Sequence, residues 1–249
     1  MHRWSRFIAV ATLACGWAMA AEDQPKAEAI LDKYIEASGG RATFQKFENQ
    51  VTTGTMEFVG KGMKAKITAY KAKGGKSYTA VDMEGIGKIE SGADGDVAWE
   101  KSPIQGPRVK RGEELASAMR DALLYPEWRD VYKKAEAAGT EMVEDHLCYK
   151  VTLTPATEGK PETRYFDKST NLLVKATKIV KTPMGEIPAE IYLSDYKKID
   201  GLLIPLKVRQ KALSQELLIT LETVKHNVDI PANRFALPED IKALVEKNK

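Results

Sequence analysis

The chain has 249 residues, 43% of them hydrophobic and 29% charged, with 38 Lys and Arg against 35 Asp and Glu for a formal net charge of +3. That length and apolar share are enough for a real core, and the length suits a single large β domain, the organisation expected here, as well as two small ones. Charges alternate in sign along the chain, which excludes the concentrated basic face of a nucleic-acid binder; Arg108 to Arg111 is a short loop cluster, read as a solvated turn.

Residues 1–20 read as a signal peptide. Arg3 and Arg6 stand there without an acid, an apolar run from Phe7 continues through Trp17, and the small Ala18 and Ala20 place the cut after Ala20. The run is shorter than the roughly 20 apolar residues of a permanent span. Leu13-Ala14-Cys15-Gly16 looks like part of a lipobox, but Thr12 stands where a Leu-like residue is preferred, so secretion is expected over anchoring through Cys15. The mature part, 21–249, then holds the single cysteine Cys148, read as a small buried side chain.

Residues 25–38 form the first expected helix, because Ala27, Ile30, Leu31, Tyr34 and Ile35 recur at three- and four-residue steps and Gly39-Gly40 supplies the stop. From Val51 the period changes to two: Met63, Ala65, Ile67 and Ala69 face one way, and Lys64, Lys66, Thr68 and Tyr70 the other. Gly74-Gly75, Gly85 and Asp94-Gly95-Asp96 mark turns. The loop 102–112 carries Pro103, Gly106 and Pro107 and is expected to be irregular. A helix should follow over residues 113–128, with Leu115, Met119, Ala122 and Leu123 on one stripe and Pro126 ending it.

Strands make up most of the rest. Val143 and residues 147–153 flank a turn at Asp145-His146, residues 163–166 and 172–180 flank another, and Asp200-Gly201 turns the chain between the alternating runs that end at Leu193 and begin at Leu202. Leu217, Ile219 and Leu221 follow a break at Ser214, and residues 238–247 form a short amphipathic helix with Ile241, Leu244 and Val245. The order predicts an α+β fold: a single curled antiparallel sheet of about ten or eleven strands, an N-terminal helix, an inserted lid or plug helix and a short C-terminal helix. Neighbouring strands rotate by roughly 20 to 25 degrees, so such a sheet curls into an incomplete barrel with an inside. Helices that fill it incompletely leave an apolar cavity, and helices that fill it leave only core.

The titratable residues do not gather into a motif. His146 in a hairpin turn and His226 at a strand end are read as exposed turn residues, no Cys or His pair offers zinc spacing, and Asp94-Gly95-Asp96 lacks the closing Glu of a calcium loop. No serine sits in a Gly-x-Ser-x-Gly elbow, and Glu113-Glu114 suits the start of a helix. No catalytic residue, metal or cofactor is expected.

Tyr165-Phe166-Asp167-Lys168-Ser169-Thr170 followed by Leu172-Leu173 makes a strand-turn-strand element with an acidic residue in the turn. Ser194-Asp195-Tyr196, Asp200-Gly201 and Ile204-Pro205 precede a closing stretch over 228–238 with Phe235 and Leu237-Pro238, and Asp94-Gly95 and Trp99 lie in a hairpin before the inserted helix. In these features the chain resembles the LolA/LolB-like family of periplasmic outer-membrane lipoprotein-sorting and lipid-carrier proteins. The resemblance spans most of 21–249 and implies a half-barrel lidded by helices, a periplasmic location and a monomeric carrier or chaperone for lipid or lipoprotein acyl chains. It also implies envelope proteins as donor or acceptor; the family's lid-closing arginine has no assigned counterpart here. On this reading Trp99, Met119, Leu123 and Trp128 form the lid, and Ile191, Leu193, Leu206, Val208, Leu217, Ile219 and Leu221 line the cavity. The alternative is a non-enzymatic envelope sensor or interaction domain with a filled core.

Overall fold

The computed structural model describes residues 24–182 and 185–247. The signal peptide, the cut after Ala20 and the Cys15 question lie outside the described residues. Two helices open the described chain, α1 (Ala27–Ala37) and α2 (Arg41–Phe44). The first wing of the sheet follows: β1 (Asn49–Phe58), β2 (Met63–Ala72), β3 (Lys76–Met83), β4 (Gly87–Asp94), β5 (Val97–Ser102) and β6 (Gly106–Val109). Helices α3 (Gly112–Ala122) and α4 (Trp128–Val131) lead to the second wing. It comprises β7 (Tyr132–Val143), β8 (His146–Pro155), β9 (Glu162–Asp167), β10 (Leu173–Thr182), β11 (Gly185–Ile199), β12 (Leu202–Ala212) and β13 (Gln215–His226), and α5 (Glu239–Glu246) closes the chain.

The thirteen strands among the described residues belong to one antiparallel sheet in the order β6-β5-β4-β3-β2-β1-β13-β12-β11-β10-β9-β8-β7. Each wing is a meander of hairpins, and the two meet where β1 pairs with β13, the register running from Gln50 opposite His226 to Phe58 opposite Leu217. A bulge at Thr53/Gly54 interrupts this seam. A Cβ on Gly54 would stand 2.2 Å from the Thr220 carbonyl oxygen, so only glycine permits the approach. Strands β6 and β7 remain unpaired on their outer sides among the described residues, so the sheet is open. It is also bent, because α3 touches β4 and β5 in one wing and β10 in the other, with six strands lying between β4 and β10 in the sheet order.

The helices divide between the two faces. Inside the curve, Ala27, Ile30 and Leu31 of α1 pack with Val131, Val151, Leu153, Phe166 and Leu173. On the opposite face, Ile241 of α5 is fully buried against Tyr78, Ala80 and Trp99. Strand β5 is covered on both sides: Ala98 joins Ala93 and Ala122 of α3, while its neighbour Trp99 points to α5. Burial on both faces explains why both side chains are almost without exposure, at 0% and 2%.

Some local expectations need correction. The sheet has thirteen strands rather than ten or eleven; β6 lies inside the loop expected to be irregular, and β7 reaches back from Val143 to Tyr132. Strand β6 is a short edge strand whose Pro107 pairs with Lys101, a position where a missing donor is tolerated. The inserted helix ends at Ala122 rather than running to Trp128. Leu123 is extended and Tyr125 has φ +50°; Pro126 disfavours helical backbone in the residue before it.

Candidate functional site

Residues 123–127 form a strap that crosses the hollow between α3 and α4. Leu124 and Tyr125 press into a cluster of Phe47, Leu202, Ile204 and Val224. The Tyr125 hydroxyl lies 2.7 Å from Nε2 of His226 and donates to Gln50 Oε1 at 3.2 Å. His226, expected to be exposed, has a side chain only 1% exposed, stacked on Phe47 with ring centroids 4.1 Å apart. The strap makes this strand end an interior position. Burial raises the pKa of the Tyr125 phenol, so the hydroxyl stays protonated.

The other end of the strap is tied to α1. Arg129 donates to both oxygens of Asp32, at 2.9 and 3.0 Å, and Trp128 Nε1 donates to Oδ1 at 3.2 Å. Arg41 bridges Asp32 and Glu127 at 2.6 and 2.8 Å, and its guanidinium also lies 3.8 Å from Glu36. The hydrogen bond from Arg129, reinforced by Trp128 and Arg41, holds the Asp32 carboxyl well below the usual carboxylate range.

Among the described residues, two spaces border the strap. One, of about 320 Å³, lies among α1, α3, α4, β10 and β11, with Leu31, Ile35, Leu173, Ile191 and Leu193 as apolar wall. The second, of about 510 Å³, lies on the α2 side of the strap between Phe44, Lys71, Leu123, Leu124 and Tyr125. Tyr34, Ile35, Pro126 and Arg164 border both, so the spaces share a wall. Each falls within the roughly 300 to 1,000 Å³ usual for small-molecule sites.

Arg164 is the polar centre of that wall. Its Nη2 donates to the Tyr132 hydroxyl at 2.6 Å and its Nε to Glu162 at 2.9 Å, while Tyr132 donates to the same Glu162 oxygen at 2.6 Å. Burial works against the guanidinium charge, but Tyr132 and Glu162 outweigh it and hold its pKa above the ordinary value. Lys71, on the second cavity, donates to the Asp121 carbonyl at 2.5 Å, and burial pulls its pKa below the ordinary lysine value.

The expected site residues divide into four groups. Trp128, Ile191 and Leu193 line the smaller cavity and Leu123 the larger. Leu206 and Leu221 pack against the Phe47 cluster under the strap, and Met119 against Ala93, Ala98 and Ala122. Val208, Leu217 and Ile219 border neither cavity; cross-strand pairing sets Val208 and Ile219 in one row with Leu193, and Leu217 in the next row with Ile191 through Gln210. Trp99 belongs to neither cavity nor lid, since it faces α5 across the sheet. Tyr34, Tyr132 and Arg164 join the cavity wall without having been expected there. The first is visible on the α1 stripe, whereas nothing in the run from Thr163 to Phe166 marks an arginine as interior.

Among the described residues no three His, Cys, Asp or Glu side chains gather as a metal site. Cys148 is fully buried, and burial pushes its thiol up to about 11. His146 is taken up by the Asp167 turn, its Nδ1 2.7 Å from Oδ2. No described helix is long and apolar enough to cross a membrane.

An open, curled antiparallel sheet with helices and a strap across its concave side defines the class: this is a LolA-like fold. No family model matches the chain, and no curated protein matches it in sequence. Solved structures do. A LolA superfamily protein from Nitrosomonas europaea is similar at 15% identity and TM-score 0.59, covering 86% of this chain and 99% of that one. A DUF1329 family protein from Desulfovibrio piger is similar at 16% identity and TM-score 0.59, covering 84% and 96%. A domain from Vibrio parahaemolyticus provisionally assigned to outer membrane lipoprotein sorting is similar at 13% identity and TM-score 0.54, covering 84% and 97%.

Proposed function

We propose that this protein is a non-enzymatic carrier or chaperone of the periplasm that shelters lipid or lipoprotein acyl chains inside its half-barrel. The observation that carries the reading is the unfilled apolar wall of Leu31, Ile35, Leu173, Ile191 and Leu193 beneath a strap held by side-chain bonds. A chain entering that space gains about 0.8 kcal/mol per buried methylene. The α1 end of the strap closes through polar contacts that are partly exposed, such as Asp32 with Arg129 at 36% and 45%, so releasing that end costs little beside a buried chain. The similarly folded Vibrio domain, only provisionally assigned to lipoprotein sorting, is in keeping with a task of the same class. We take the carrier to work as a monomer, with the signal peptide of residues 1–20 delivering it and other envelope proteins as donor or acceptor.

Native mass spectrometry of protein purified from the cell envelope, followed by solvent extraction, tests this. A lipid-mass adduct lost on extraction is expected. A protein that is empty as isolated and refuses a fluorescent alkyl probe overturns the carrier in favour of a sensor or interaction domain.

A further inference from the structure

The wall of the smaller cavity changes character along its length. On β10 the lining passes from Leu173, 8% exposed, through Ala176 to Lys178 and Lys181 as the strand nears its hairpin with β11. Arg120 on the last turn of α3 and Lys160 before β9 face the same end. With Arg164, five cations line this cavity against the three carboxylates of Glu113, Asp121 and Glu162, an excess that favours an anionic guest.

The counterions already present are thinly spread. Lys178 lies 3.2 Å from Asp121. Lys160 and Lys181 share the single carboxylate of Glu186, at 2.5 and 3.7 Å. Arg120 spends its donors on the Thr157 hydroxyl and the Glu158 carbonyl, at 2.6 and 2.7 Å, and has no carboxylate within ion-pair distance among the described residues. A guanidinium on the helix and ammonium groups on the sheet therefore flank one end of a space whose other end is hydrocarbon.

We propose that the guest is an amphiphile with an anionic oxyacid head, a phosphate or carboxylate, its head held by Arg120, Lys160, Lys178 and Lys181 and its tail directed toward α1. This rests on the carrier reading and narrows it to a ligand class. The oxyanion joins α3 to β10, so seating the head also fastens the inserted helix onto the sheet. Lys160 and Lys181 are nearly half exposed, at 48% and 46%, so head recognition weakens with salt while tail burial does not.

Titration calorimetry below the micelle concentration separates head from tail, using dodecyl phosphate, dodecanoate, dodecyl maltoside and dodecyltrimethylammonium against the full mature chain. The anionic probes should bind about tenfold tighter than the maltoside, the worth of one charge-assisted hydrogen bond. The gap should shrink in added salt and in the Arg120→Gln/Lys181→Gln double variant, with maltoside affinity unchanged. Preference for dodecyl phosphate over dodecanoate assigns a phosphate head, and the reverse a carboxylate. Equal binding of all four heads, or tightest binding of the cationic probe, overturns the head assignment and leaves the carrier standing. Binding of none overturns both.

Discussion

The phenol oxygen of Tyr125 lies 2.7 Å from Nε2 of His226, whose Nδ1 lies 2.8 Å from a carboxylate oxygen of Asp200. Through this chain of contacts the strap is fixed to the sheet at the seam end of β13, while Asp32 fixes its far end to α1. The lid is thus held at two points that share no residue and can be loosened one at a time.

Loosening the first point is the effect expected of Tyr125→Phe. The ring remains packed against Phe44 and Phe47, but Nε2 of His226 loses its partner, at a cost of about 1 to 2 kcal/mol. Urea unfolding measures the loss, and amide exchange should quicken over residues 123–127 before the rest of the sheet. Unchanged exchange in the strap would sink the idea that Tyr125 anchors it.

Asp32→Asn should loosen the second point. Its partners are more than a third exposed, so the global cost is small, about 1 kcal/mol or less. The pH dependence follows from the direction of the shift. The folded carboxyl titrates below its unfolded value near 3.9, so its contribution is complete above about pH 4 and disappears as pH falls through the folded value. Fluorescence of Trp128, in a Trp99→Phe background, should report acid-induced loosening in the parent and little further change in Asp32→Asn.

The Asp167 turn offers a separate acid-sensitive element. Burial alone raises this carboxyl, but hydrogen bonds from Ser169, Thr170 and His146 outweigh it and hold it well below the usual range. Oδ1 accepts from the Ser169 and Thr170 amides at 2.8 and 2.6 Å. The sign is again that of a depressed acid: stability present above about pH 4 and lost as pH falls through the folded value. Asp167→Ala should cost about 2 to 3 kcal/mol near neutrality, and the gap in melting temperature between parent and variant should narrow toward acid.

Two tryptophan-sized changes should separate the faces of the sheet. Trp99→Ala leaves a hole against α5 and should lower stability by about 3 to 5 kcal/mol, yet leave the affinity of the folded protein for an alkyl probe unaltered. Leu193→Trp fills the smaller cavity from β11 and should abolish probe uptake, with a stability change within about 1 to 3 kcal/mol. Loss of probe affinity in folded Trp99→Ala would contradict the placement of that residue away from the hollow.

The legible parts of the fold are those whose burial is periodic. Helices α1 and α5 announce themselves because Ile30, Leu31 and Ile35, or Ile241 and Leu244, recur on one stripe. Strand β7 does not, since only its ends, Tyr132 and Val143, are buried and the mixed, largely exposed run between lies on the sheet's edge. Alternation tells that Ala98 and Trp99 point opposite ways, but both directions are covered here, so it gives no hint which is the hollow. The burial of His226 comes from Tyr125, 101 residues away along the chain, and the interior place of Arg164 comes from the packing of α1 and the strap over β9. Such long-range effects leave no local trace.

The seam between β1 and β13 has a temporal meaning as well. The hydroxyls of Thr53 and Thr223 meet across 170 residues of chain, so each wing can grow from its own neighbouring hairpins, but they cannot be joined until nearly the whole polypeptide has been delivered. Contacts of such separation slow the final step of folding. A chain ending before Gln215 would leave the facing edges of β1 and β12 both bare, ready to pair with the same edges of another shortened copy. Its final strand therefore acts as the zipper pull of the molecule, and shortened products should accumulate as clumps instead of as smaller working units.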